Sequence, residues 1–252
     1  VFPIRRHDAF AKVCHLAGRA VAEFDMIRPQ DRVVVGVSGG KDSLVLLHVL
    51  ERLRSRAPVP FELVPVLVDM GFARTRPEAV RSYCAGHGWS LRVVSLPGRE
   101  LLRDKGAEDR PCSLCSRLRR GQLHAVAEEV EAGVIALGQH LDDLCVSLLM
   151  SLFRGGGLKT MGPSVAADSG SKRLIRPLCL VQESLIVEAA GGFGFPDAGA
   201  CDFLPGIEAH GDRAYLERLL GSLDLRFAGV RNAMLRSMRD LRPAHLLDKR
   251  FL

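Results

Sequence analysis

At 252 residues the chain is long enough for one sizeable core and short for two, and 47% apolar with 25% charged residues is a globular composition. No apolar run reaches the roughly 18 residues of a membrane span, and Val1-Phe2-Pro3-Ile4-Arg5-Arg6 lacks the apolar core and cleavage site of a secretory signal, so a cytoplasmic location and no membrane partner are expected. The formal net charge of +6 favours a polyanion such as RNA, although nucleotide phosphates also account for part of such an excess.

Phe10, Val13, Cys14, Ala17, Val21 and Phe24 recur at helical spacing, and Arg28-Pro29-Gln30-Asp31 ends that helix. Arg32 to Val37 reads as a buried β-branched strand, Leu44 to Arg54 as a helix with Glu51, Arg52 and Arg54 outward, and Leu63 to Val68 as a second strand. A helix is expected from Pro77 to His87, stopped by Gly88, and a third strand from Leu91 to Leu96. Residues 97 to 111 read as a polar, charged loop, followed by a long helix from Cys112 to Ala132, a short strand from Val134 to Leu137, and a helix from Leu141 to Phe153. Alternation of this kind predicts a doubly wound α/β fold, a parallel sheet with helices on both faces, whose ligands bind outside the carboxyl ends of the strands.

Beyond Arg154-Gly155-Gly156-Gly157 the pattern loosens: a short helix from Val181 to Ala190, a Gly- and Pro-rich stretch from 193 to 207, and helices near 211–221 and 229–241. The expected organisation is a single domain, with an N-terminal helix and α/β core over 1–190 and a helical C-terminal extension over 191–252 that is too small for a core of its own. Of the seven cysteines, Cys14, Cys84, Cys145 and Cys179 lie among apolar neighbours and read as small core residues, which leaves Cys112, Cys115 and Cys201.

Gly36-Val37-Ser38-Gly39-Gly40-Lys41-Asp42-Ser43 is the end of a strand, a glycine-rich turn and the start of a helix. Glycines let backbone N–H groups approach phosphate oxygens, the helix N-terminus favours an anion, and Lys41 adds a charge. The spacing differs from the usual P-loop, because three residues separate Gly36 from Gly40 and Asp42 follows Lys41. The order Ser-Gly-Gly-Lys-Asp-Ser resembles the PP-loop ATP pyrophosphatases, which cleave ATP between its α- and β-phosphates and attach AMP to a substrate oxygen. That resemblance assigns Ser38, Gly39, Gly40, Lys41, Asp42 and Ser43 to ATP.

Gly138-Gln139-His140-Leu141-Asp142-Asp143 follows the strand that ends at Leu137. Its acids suit Mg²⁺ against phosphate oxygens, or simply open the helix that follows. Asp69, after the second strand, and Gly138 are further candidates for the same site, and the expected catalytic residues are Lys41, Asp42 and Asp142.

Cys112-Ser113-Leu114-Cys115 is ambiguous between a metal site, a redox pair and accident, and a zinc ion would want a fourth ligand for which His124 and Asp202 are the nearest residues. With the stretch Ser116-Arg117-Leu118-Arg119-Arg120-Gly121 behind it, the segment resembles the TtcA family of tRNA 2-thiocytidine synthetases. The resemblance runs almost end to end, through Ile4-Arg5-Arg6, Asp25-Met26-Ile27, Gly138 to Asp143, Phe153 with Gly155-Gly156, Ile175-Arg176-Pro177-Leu178 and Pro243-Ala244-His245-Leu246.

Such enzymes adenylate O2 of a cytidine in tRNA and replace it with sulfur, using a [4Fe–4S] cluster on three cysteines that leaves one iron free. The resemblance thus implies ATP, Mg²⁺ and a cluster on Cys112, Cys115 and Cys201, with RNA contacts from Arg117, Arg119 and Arg120. It also implies tRNA and a sulfur donor (a cysteine desulfurase or sulfide) as partners; a homodimer is the assembly considered. The chain departs from the family where Cys201-Asp202-Phe203-Leu204 has one cysteine in place of two, where Gln139 stands for a histidine, and where Met70-Gly71 replaces Gln-Lys. The alternatives are a PP-loop enzyme that thiolates or amidates another molecule, and a non-catalytic nucleotide or iron–sulfur sensor.

Overall fold

The computed structural model describes residues 6–57, 59–109, 111–167, 172–203 and 211–251; Ile4, Arg5 and the stretch 204–207 lie outside them. The chain runs α1 (Arg6–Glu23), β1 (Arg32–Gly36), α2 (Lys41–Arg54), β2 (Glu62–Asp69), α3 (Pro77–Gly86) and β3 (Arg92–Ser95). It continues through α4 (Gly98–Asp104), α5 (Pro111–Glu129), β4 (Val134–Ala136), α6 (Leu141–Phe153), β5 (Ser164–Ala166) and β6 (Arg173–Ile175). Among the described residues, the α-helices that follow are α7 (Glu183–Ala190), α8 (Asp212–Arg226) and α9 (Val230–Arg239).

Among the described residues six strands pair in the order β3-β2-β1-β4-β6-β5, parallel except for β5, which runs antiparallel to β6. Alternation along β1 sends Val33 and Val35 into one layer with α1, α2 and α7, and Val34 into the other against Leu123, Val126 and Ala127 of α5. The chain leaves β1 toward β2 and β3 and later returns to the opposite side of β1 as β4. The crevice between β1 and β4 is therefore the switch point of the sheet, where α/β proteins bind their ligands.

Two expectations need correction. Residues 98–104, read as part of a loop, form α4, because fully buried Leu102 packs with Met70, Phe72 and Cys115. Two adjacent leucines among charges make no periodic stripe, so the sequence carried no helical signal there. The parallel sheet is as expected, but the loose stretch after residue 157 adds two strands to it, one of them an antiparallel edge: β5 and β6 have three residues each and are defined by their ladders rather than by composition. The helices α8 and α9 share a core with α6, in which Leu216 and Leu220 pack on Leu141, Cys145 and Val146. Cys14, Cys84, Cys145 and Cys179 are buried and unpaired, as expected of core residues. Among the described residues no helix is long and apolar enough to cross a membrane.

Candidate active site

The turn after β1 is braced from within. Ser43, 6% exposed, accepts the Ser38 N–H at 3.0 Å and donates to the Gly40 carbonyl at 2.9 Å. Gly39 takes φ +84°, and a Cβ there would run into Ala198 and Val80. Gly40, the N-cap of α2, brings no side-chain acceptor to the helix N-terminus, so first-turn N–H groups remain for an anion. Lys41 Nζ lies 2.6 Å from Glu183 and 3.3 Å from Asp42. Burial alone would lower its pKa, but the two carboxylates raise it on balance, so the ammonium is firmly charged.

The turn after β4 lies directly against this loop. A Cβ on Gly138 would stand 3.1 Å from the Asp42 carbonyl and the Ser43 nitrogen. Asp143 caps α6 by accepting the His140 N–H at 3.0 Å and pairs with Arg213 of α8. Asp142 accepts the Glu183 N–H at 2.7 Å and pairs with Arg231 of α9. Burial opposes its charge, yet His140, the Glu183 N–H and Arg231 together bring its pKa down to about 2.

His140 is 5% exposed, with the carboxylates of Asp143, Asp142 and Asp42 at 3.5, 3.7 and 3.8 Å. Burial lowers its pKa and the three acids more than offset that, so the net shift is upward. Asp42, His140 and Glu183 offer ligand atoms within 4.8 Å of one another and can hold a cation.

Two cavities meet here. The larger, about 720 Å³, is lined by Ser38, Asp42, Ser43, Gly138 and Asp143 on one side and by Cys112, Cys115, Arg119, Arg120 and Cys201 on the other. The smaller, about 250 Å³, is lined by His140, Asp142, Glu183 and Arg231, and shares Asp42 and Asp143 with the first. Cys112 is exposed, Cys115 buried and Cys201 half-buried. Burial pushes the Cys112 and Cys115 thiols up, and Arg119 draws both down. The Arg119 Nε is buried and has no hydrogen-bond partner. Gln139 also faces the larger cavity, its amide oxygen turned to Arg176 at 3.1 Å.

Most sequence-predicted residues are thus brought together; Gly39, Gly40 and Lys41 belong to the loop without lining either cavity, and Asp69 and Arg117 stand outside the site. Asp69 lines neither cavity, since its carboxylate closes its own turn by accepting the Gly71 N–H at 3.0 Å and the Thr75 hydroxyl at 3.1 Å. Arg117 is exposed and lines neither cavity, although it stands one turn before Arg120 on α5. The sequence reading missed Glu183, Arg213 and Arg231 and gave His140 no role. The histidine stood inside a singled-out motif, whereas nothing near the other three in sequence signals that they fold back onto Asp142, Asp143 and Lys41.

A glycine-rich loop and an acidic turn flanking the switch point of a parallel sheet define a PP-loop nucleotide-binding protein, and residues 13–193 match the PP-loop domain family, to which the chain belongs. Within it the chain belongs with the tRNA-cytidine(32) 2-sulfurtransferases. It is 38% identical to that of Geobacter metallireducens over 95% of this chain and 93% of the relative, and 37% identical to that of Pelobacter propionicus over 98% and 91%. Among solved structures, the fold is similar to the U34-tRNA thiolase NcsA from Methanococcus maripaludis with its [4Fe–4S] cluster. The TM-score is 0.71 at 19% identity, over 93% of this chain and 78% of that one. The NH3-dependent NAD synthetase from Campylobacter jejuni shares the fold more distantly, with a TM-score of 0.52 at 14% identity over 97% of this chain and all of that one.

Proposed function

We propose that the chain thiolates a cytidine in tRNA at the expense of ATP, adenylating O2 of the base and replacing it with sulfur. The observation that carries this reading is that the nucleotide loop and Cys112, Cys115 and Cys201 open on one cavity of about 720 Å³. Activation and sulfur transfer can then occur without the base leaving.

The polyphosphate lies at the N-terminus of α2, and Lys41 exchanges Glu183 for phosphate oxygens. Asp42, with Asp142 or Asp143 and the neighbouring His140 and Glu183, would hold Mg²⁺, which neutralises phosphate charge during the attack. O2 attacks the α-phosphorus and pyrophosphate leaves. Sulfur then takes C2 as AMP departs with the original oxygen. Arg119 and Arg120 supply positive charge on the cavity wall for nucleotide or RNA phosphates.

Three thiols on the cavity wall suit a [4Fe–4S] cluster, which when bound supplies an iron without a protein ligand for carrying sulfur from a desulfurase or free sulfide. Among the described residues no cysteine trio has all its sulfurs within 4.8 Å of one another, whereas thiolates on one tetrahedral zinc stand about 3.8 Å apart, which favours the larger group. The two residues nearest to hand as a fourth zinc ligand are also unsuited, since Asp202 is paired with Arg99 and His124 lines neither cavity.

The test is anaerobic incubation of the purified chain with ATP, Mg²⁺, sulfide and unmodified tRNA, followed by nucleoside mass spectrometry and a pyrophosphate assay. Thiocytidine and pyrophosphate should form together. Lys41→Ala should lower both roughly 10²–10³-fold, by analogy with loss of one oxyanion donor. Pyrophosphate release stimulated by another acceptor, without thiocytidine, would transfer the chain to a different substrate.

A further inference from the structure

The segment that carries Cys201 lies across another loop of the same sheet edge. The Arg76 N–H donates to the Ala198 carbonyl at 2.9 Å, the Ala200 N–H to the Arg74 carbonyl at 3.1 Å, and Thr75 and Gly199 form an isolated antiparallel bridge. Gly199 takes φ +75°, and a Cβ there would collide with the Arg74 carbonyl, so the two backbones can approach this closely only at a glycine. Ala198 fills the space beside Gly39, which brings residues 197–202 against the nucleotide loop at one end and the Cys112–Cys115 helix at the other.

Two ion pairs fasten this strap, Arg76 with Asp197 at 2.5 Å and Arg99 with Asp202 at 2.6 Å. Their arginines are alike, 64% and 65% exposed, and they differ at the carboxylate. The Asp197 side chain is 69% exposed, whereas that of Asp202 is 11% exposed. An exposed pair contributes little to holding a loop in place. Asp202 uses both oxygens, Oδ2 for Arg99 and Oδ1 for the Arg74 N–H at 3.3 Å.

We propose that Asp202 is the positioning residue for Cys201, holding the third thiol opposite Cys112 and Cys115 through Arg99 and the Arg74 N–H. The inference rests on the cluster reading above. Cys112 and Cys115 share the first turn and a half of α5, so their backbone is fixed by helical hydrogen bonds. Cys201 follows Ala198-Gly199-Ala200, a stretch with no helix and no large side chain to order it. The backbone contacts at 198–200 hold the strap as far as Ala200; beyond them, ligation by this thiol would have to bear the entropy of ordering residues 201 and 202. A half-buried carboxylate at the next residue, bonded to two donors, removes that cost in advance, as outer partners of metal ligands generally do.

The experiment compares the wild-type chain with Asp202→Ala, Asp202→Asn and Arg99→Ala, all prepared anaerobically. Iron per chain, the visible spectrum, the electron paramagnetic resonance of the reduced protein, iron release to a chelator and ATP affinity are measured. Asp202→Ala should retain iron against the chelator about 10- to 100-fold less well and show an altered resonance, with ATP affinity kept. Asp202→Asn and Arg99→Ala, which each remove one of the two contacts, should fall between it and the wild type. Wild-type spectra and iron retention in Asp202→Ala overturn the proposal. If that variant does not fold, wild-type behaviour in both of the other two overturns it. A wild-type chain that binds no iron overturns the cluster reading, and this inference with it, so the two failures are distinguishable.

Discussion

A methyl group at Gly138 would stand 3.1 Å from the backbone of Asp42 and Ser43, atoms that cannot swing aside as a side-chain tip can. Gly138→Ala should therefore cost about 1–3 kcal/mol of overpacking. The loop that must shift is the one that meets phosphate, so ATP affinity should weaken about tenfold or more, since about 1.4 kcal/mol is a factor of ten. Titration of ATP binding checks this; undiminished affinity in a folded variant would mean that the loop can give without consequence. Arg120 and Arg117 form a second contrast. Arg120 lines the larger cavity, and Arg117, one turn earlier on α5, lines neither. Arg120→Ala should weaken tRNA binding and lower the slope of log K against log salt by about one. Arg117→Ala should leave the slope unchanged, and filter binding across a salt series separates the two.

Helices α2 and α3 are joined on their outer side by rings. His48 donates to or accepts from the Tyr83 hydroxyl at 2.7 Å and lies 4.1 Å from Phe193 and 4.6 Å from Trp89, centroid to centroid. Burial, with repulsion from His87, pushes its pKa down to about 4. The unfolded chain, with an ordinary histidine near 6.5, takes up the proton first. This site therefore contributes its full stability above about pH 6.5 and loses it as pH falls toward about 4. His48→Phe keeps the ring and removes the titration, so the urea midpoint of the variant should fall less steeply across that window; parallel slopes would show that other groups govern it.

Legibility in the sequence followed how local each element's cause was. β1 and α2 could be read because a valine run, three glycines and an apolar helical stripe all lie within Arg32 to Arg54. The larger cavity could be read in outline because the loop, the Gly138–Asp143 turn and the Cys-x-x-Cys each carry their own signal. β5 and β6 could not, since three residues acquire strand character only from their neighbours. Nor could the partners of Asp142 and Asp143: Arg231 and Arg213 arrive from 89 and 70 residues away, brought by the packing of α8 and α9 on α6.

Across the whole molecule, the first helix finds its main partner late in the chain. Ala9, Val13, Ala17 and Ala20 of α1 are fully buried, and α1 packs most heavily against α7, with Phe10 meeting Phe193 edge to face at 4.9 Å. Ile186 of α7 is fully buried in the same layer, and Ile186→Ala should cost about 2–5 kcal/mol in a denaturant titration. The order of synthesis gives this contact a second meaning. At about 5–20 residues per second, the ribosome needs on the order of ten seconds between completing α1 at Glu23 and reaching α7 at Glu183. Throughout that interval the apolar stripe of α1 lacks its principal cover, so it is a natural client for a chaperone working at the exit tunnel. Nascent chains arrested before residue 183 should crosslink to such a chaperone through α1, and chains arrested well after α7 has emerged should not.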